Sequence, residues 1–300
     1  MTATLASPES QGLVSRSIVL RLGGLEAKRY TRHPLFLVGV ALVVVSAVSE
    51  VLKTPPNVGA LGLPIEPAMG LGVFGLIVAA RLTRSTTRAL ESLGAPPVPE
   101  RYRTAAMALA CLVPAGVALV WSTFMLIVFS VRRPRPEAWW FDTLPAADII
   151  CYYLAAAVVA AYGGPILGVV VGRYLRWSGA PLVVAVLLVA ITILGSGLVE
   201  AVRPYRQIMP WTGWYGGDNG AGADLYYQGN PRWWLLYTIC LCALAVVAAL
   251  LHDRELPRRK LQVVAAVLVL VAVLACVASI TTGPQQTQVS PPVLHPEQVR

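Results

Sequence analysis

Seven apolar blocks, each long enough or nearly long enough to cross a bilayer, run through this chain and leave no route to a water-soluble fold. A spanning helix needs about 20 mostly apolar residues. The blocks read at 35–52, 68–80 with an approach at 61–67, 104–130, 149–172, 182–199, 233–251 and 261–280. Composition agrees. Of 300 residues, 56% are hydrophobic and only 13% charged, where a soluble domain carries roughly 25% charged. The expected fold class is an all-α polytopic membrane protein of about seven transmembrane helices. Pro64 and Pro67 interrupt the start of the second block, which is expected to enter the membrane short or broken.

The basic residues orient these spans. With the N-terminus in the cytoplasm, sixteen of the 24 Lys and Arg fall in inside segments and eight outside, as the positive-inside rule requires. Seven spans then place the C-terminus outside the cytoplasm, in a multi-pass protein of the cell (plasma) membrane. Residues 1–12 are polar and the first apolar block begins near Leu35, an arrangement unlike a cleavable signal. The formal net charge of +9 does not point to nucleic acid, because the cations sit in short runs between apolar blocks rather than on one face. Trp139, Trp140 and Phe141 before the fourth span, and Tyr226, Tyr227, Trp233 and Trp234 before the sixth, are expected at the outer headgroup level.

Three polar regions divide the chain. Residues 1–33 form a basic cytoplasmic N-terminus. Within it Val14, Ile18, Leu22 and Leu25 recur at helical spacing, so 12–33 is expected as an amphipathic helix on the inner membrane surface, weakened by Gly23 and Gly24. The transmembrane domain, 34–281, holds two long connections. One is the inner loop 81–103, where the helix formers of 83–93 are stopped by Gly94, Pro96, Pro97 and Pro99. The other is the outer loop 200–232, rich in Gly, Pro, Trp and Tyr. Residues 282–300 are rich in Pro and Gln and are expected to be disordered.

Motifs for chemistry are few. His33, His252 and His295 all fall outside the spans, which argues against a histidine metal site or base at membrane depth. Cys111, Cys151, Cys240, Cys242 and Cys276 lie inside apolar blocks and read as small buried hydrophobes. There is no H-E-x-x-H, G-x-S-x-G or Walker A loop. No catalytic, cofactor-binding or metal residue is assigned, and if the chain does energised work its ATPase is another chain. Asp218-Asn219-Gly220 with Asp224 reads as a turn rather than a calcium loop. Glu50 and Glu200 read as solvated helix ends. Pro114 and Pro165 are expected to kink their helices, and Gly163, Gly164 and Gly168 to admit a neighbouring helix.

Three stretches in order carry a resemblance: LGGLEAKRYTRHPLF at 22–36, RALESLGAPPVPERYR at 88–103 running into TAAMALACLVPAGVAL, and AYGGPILGVVVGRYLRWSGAP at 161–181. Together the chain resembles an actinobacterial ABC-transporter permease of the type-2 exporter family. The resemblance implies a six-helix exporter-type core, here with one extra span. It implies a partner ATPase in the cytoplasm and a second permease copy or paralogue. An amphiphilic substrate would move by alternating access, and the chain itself would not be an enzyme. It makes 12–33 a connecting helix and 83–93 a coupling helix, with Arg88 and Glu91 as polar contacts to the ATPase and Leu90 and Leu93 as apolar anchors. Two rival readings stay open. One is a membrane enzyme acting on lipid-linked substrates at the outer face, through Arg132, Arg133, Arg135, Arg203, Arg206, Asp218 and Asp224. The other is a non-catalytic scaffold.

Overall fold

A computed structural model describes residues 8–52, 63–93, 98–132, 145–175, 177–197, 208 and 229–282. The described chain forms helices α1 (Pro8–Thr31), α2 (Pro34–Leu52), α3 (Ile65–Pro67), α4 (Phe74–Leu93), α5 (Glu100–Ala110), α6 (Leu112–Val131), α7 (Ala146–Tyr153), α8 (Ala160–Tyr174), α9 (Ala180–Gly197), α10 (Pro231–Leu251) and α11 (Arg258–Thr282). Two π-helical stretches, Ala68–Val73 and Leu154–Val159, join α3 to α4 and α7 to α8. No strand occurs among the described residues.

Among the described residues, six helical runs are long and apolar enough to cross a membrane: Pro34–Leu52, Ile65–Thr86, Glu100–Val131, Ala146–Tyr174, Pro231–Leu251 and Arg258–Thr282. Ala180–Thr192 is a shorter apolar helix at the start of the expected fifth span. Outward faces are apolar: Val267, Leu270 and Leu274 on α11, and Leu42 and Val45 on α2, are all exposed. Water would drive such faces together; hydrocarbon covers them, and helices keep every backbone hydrogen bond inside the segment. The chain is an all-α polytopic membrane protein.

Small residues decide which helices meet at the centre. Gly164, Gly168 and Gly172 recur every fourth residue of α8 and so share one face. A Cβ on Gly164 would strike the Gly72 carbonyl, one on Gly168 the Leu76 carbonyl, and one on Gly172 would lie 2.9 Å from the Ala80 carbonyl. In return a Cβ on Gly72 would lie 3.0 Å from the Ala160 carbonyl. Backbone therefore rests on backbone along the α4–α8 crossing, the closeness that dispersion between membrane helices needs. This pair packs more extensively than any other among the described residues, and Ile65–Thr86 is the most buried of the six long apolar runs. Gly39 on α2 makes the same approach to Gly70.

The irregularities at Pro64, Pro67 and Pro114 fall where the prolines led one to expect them. Pro64 and Pro67 precede the first π-helical stretch, so the second span does begin irregularly. The third span breaks at Cys111, between α5 and α6. Pro114 has no N–H to offer the Ala110 carbonyl, and a helix interrupted by proline yields just before it. Pro165 leaves α8 continuous. The cysteines are all free: Cys111, Cys240 and Cys276 are buried, Cys151 and Cys242 partly so.

Two expectations need correction. Glu50 is not a solvated helix end; it is 2% exposed. α3 and α6 pack against α2, and Arg132 Nη1 at the end of α6 donates to the Val51 carbonyl at 2.6 Å. Trp234 does not face outward as a belt residue would; it is fully buried and stacks on Tyr152 at 6.0 Å. Its neighbour Trp233 is exposed. The helix expected at 12–33 is present in α1, which runs unbroken through Gly23 and Gly24. Gly23 is a contact point, where a Cβ would lie 3.3 Å from Leu109 Cδ1 on α5. Trp139, Trp140, Phe141, Arg133, Arg135, Glu200, Arg203, Arg206, Asp218, Asp224, Tyr226, Tyr227, His295 and the expected tail lie outside the described residues.

Candidate functional site at the basic end of the bundle

The ends of α1, α4, α5 and α8 and the turn between α10 and α11 gather at one end of the bundle, with most of the described cations. From this end α4 continues as one helix from the apolar Phe74 to Leu93, and Gly94, the expected stop, lies outside the described residues. The backbone of 83–93 is therefore helical as expected. It is also the direct extension of the second span rather than a separate element. Arg88, Leu90, Glu91 and Leu93 occupy its final turns; their side chains lie outside the described residues.

Two arginines grip the root of this extension. Arg29 on α1 donates through Nη1 to both carboxylate oxygens of Glu26 at 2.9 Å and to Thr86 Oγ1 at 3.1 Å, and through Nη2 to Ser85 Oγ at 2.9 Å. Arg84 on α4 donates to the carbonyls of Leu175 at 2.5 Å and Ser178 at 3.2 Å. Those carbonyls belong to the turn between α8 and α9. The guanidinium fork suits both jobs, since its donors are fixed in one plane. The root of the extension is thus tied on one side to α1 and on the other to the α8–α9 turn.

Behind it, Glu100 at the start of α5 joins three elements. Its Oε1 accepts from Arg173 Nη1 of α8 at 2.9 Å and lies 2.6 Å from His252 Nδ1 at the end of α10. Arg173 is 6% exposed at its side chain and also donates to Thr104 Oγ1 at 3.2 Å. A cation so buried demands a charged partner. Asp253, in the α10–α11 turn, accepts from the Arg101 N–H at 3.0 Å and from the Glu255 N–H at 2.9 Å. It satisfies a free donor in the first turn of α5, where anions are also favoured by the helix dipole.

The N-terminal helix is held from its end as well as its face. Tyr30 is fully buried and meets Phe36 edge-on at 5.2 Å; burial, with Cys111 close by, holds its phenol well above the ordinary range. His33 Nδ1 accepts from the Leu35 N–H at 3.3 Å, capping α2 ahead of Pro34. Burial and the nearby Arg81 both hold this imidazole below its usual value. The stripe on α1 that includes Ile18 and Leu22 is partly buried and packs toward α5, while Leu25 is 61% exposed.

Sequence reading found the helix at 83–93 and the basic helix before it. It missed Arg29, Ser85 and Thr86 as a joint, and Glu100, Arg173, His252 and Asp253 as a cluster. Pro99-Glu100 before an apolar run was a legible helix start. The rest registered only as topology cations, because their partners lie 56 to 152 residues away. No known protein family, curated protein or solved structure matches the chain.

Proposed function

We propose that this chain is the transmembrane permease subunit of an ATP-driven exporter, moving an amphiphilic substrate by alternating access with energy from a separate ATPase chain. The observation that carries the reading is α4: a single helix runs from the most buried part of the bundle out to Leu93. Force applied at its tip reaches the centre without crossing a joint. Arg29 and Arg84 fasten its root to α1 and to the α8–α9 turn, so a partner seated on the tip moves these elements together. A short helix with charged and apolar residues suits a cleft in a soluble protein. Arg88 and Glu91 are the polar contacts and Leu90 and Leu93 the apolar anchors. The concentration of cations supports a cytoplasmic setting for this end, where ATP is. ATP does work here only by favouring one state of the bundle over another. The permease functions as a pair with a second copy or a paralogue.

The test is recovery of the tagged chain from native membranes in mild detergent, with mass spectrometry of what accompanies it. The expected companion is a stoichiometric ATPase carrying a Walker A loop, lost on Glu91→Arg or Leu93→Asp. Absence of any ATPase across salts and detergents, or ATP hydrolysis by the purified chain alone, overturns the reading.

A further inference from the structure

We propose that a cleft in the flank of the bundle is a binding site for the hydrocarbon chain of a bilayer lipid. The cleft is a cavity of about 200 Å³ between α8, α9 and α10, lined among others by Gly163, Leu188, Thr238, Leu241, Cys242 and Ala245. It exceeds the ~150 Å³ apolar cavity that stays dry and takes up benzene. A water there would need two to four polar partners, and the polar groups of the lining are already engaged. Thr238 Oγ1 donates to the Leu235 carbonyl at 3.0 Å, and the Cys242 thiol faces the Val159 carbonyl at 3.7 Å. The cleft therefore selects an apolar guest and offers no handle for a charged one.

Its position identifies the guest. Cys242 lies midway along Pro231–Leu251 and Gly163 well inside Ala146–Tyr174, so the cleft opens at the depth of acyl chains, about 15 Å from either headgroup layer. α9 packs on α4 and α8, and the described residues leave its side toward α10 largely uncovered. Gly163, Leu188, Leu241, Cys242 and Ala245 are accordingly part-exposed, and Leu187 and Ile239 beside them are exposed. What meets this flank in a membrane is lipid tail.

The local backbone makes the space. The π-helical stretch Leu154–Val159 ends at the carbonyl that faces Cys242, and π-helical turns concentrate at functional sites. One turn on, Gly163 has no side chain to fill the gap; a Cβ there would lie 3.1 Å from Cys242 Sγ. The site is an irregularity in α8 left open by small residues, and it does not depend on the exporter reading.

The experiment places the full chain in phosphatidylethanolamine–phosphatidylglycerol vesicles containing a phospholipid with a diazirine at mid-chain. After illumination, adducts are mapped by mass spectrometry. The expected result is labelling around Thr238, Leu241 and Cys242 at least severalfold above that on Val267 and Leu270, which are exposed at similar depth on α11. Ala245→Phe, which fills the cleft, lowers the first to the level of the second while leaving α11 labelling unchanged. Leu188→Phe provides a second filling variant should Ala245→Phe fail to fold. Equal labelling of cleft and α11, or persistence of cleft labelling in both filled variants, overturns the proposal.

Discussion

The Tyr30 hydroxyl occupies the place where Gly75 lacks a side chain: a Cβ on Gly75 would lie 2.6 Å from that oxygen and 2.6 Å from Pro165 Cγ. A ring carried by the N-terminal helix thus enters the crossing of the second and fourth spans. Gly75→Ala forces the tyrosine or the proline aside and is expected to cost about 1–3 kcal/mol, read as a lowered thermal midpoint in detergent. Adding Tyr30→Phe recovers part of the loss; a double-mutant cycle with no coupling sinks the contact.

Tyr30→Phe alone is expected to be neutral or stabilising. The hydroxyl is buried with no hydrogen-bond partner among the described residues, and relieving such a group is worth about 1 kcal/mol. Tyr30→Ala, by contrast, empties the crossing at a cost of about 3–5 kcal/mol. Thermal midpoints that rank alanine above phenylalanine contradict this placement.

Glu100→Ala strands Arg173, whose side chain is almost wholly buried. The expected cost is about 3 kcal/mol, the lower end for breaking a buried pair because Glu100 keeps some solvent contact. Pairing it with Arg173→Met removes the stranded charge and recovers most of the loss. Equal destabilisation of the single and double variants would count against a shared ion pair.

Stability is expected to fall with acid through His33. Its folded pKa is lowered by burial and by Arg81, so the fold favours the neutral ring. Above the unfolded value near 6.5 both states are neutral and the full stability is present. As pH drops from about 6.5 the unfolded chain takes up a proton first, and stability declines until the folded value is passed. Protonation also removes the acceptor for the Leu35 N–H. His33→Asn keeps a helix cap and is expected to flatten thermal midpoints across this window; an unchanged slope assigns the acid sensitivity elsewhere.

Glycines of the same sequence type separate by surroundings. Gly168→Ala drives a methyl into the backbone at Leu76 and is expected to unfold or strongly destabilise the bundle, by about 3 kcal/mol or more. Gly24→Ala and Gly116→Ala face open space and should be neutral or stabilising by up to about 1 kcal/mol. Comparable midpoints for all three variants would contradict the backbone contact.

Apolar runs are legible without alignment because a bilayer demands about 20 such residues in a row, and positions of the helices followed from that. So did the glycine spacing at 164 and 168, since a period of four marks one helix face. The fate of Glu50 and Trp234 was not legible. Both stand at helix ends, where sequence assigns solvent or headgroups; only the packing of α3 and α6 over α2, and of Tyr152 against α10, puts them inside. The joint at Arg29 escaped for another reason. A cation beside a carboxylate three residues away reads as an ordinary surface pair, and nothing local announces Ser85 and Thr86.

The glycine contacts of α8 impose one more consequence. Teeth spaced four residues apart repeat every ~6 Å along a helix, so α8 and α4 mesh at one register and clash at intermediate offsets. Gradual sliding is closed to them. Any motion of the bundle must carry the two as a single shaft, turning about its neighbours, or shift it by a whole notch.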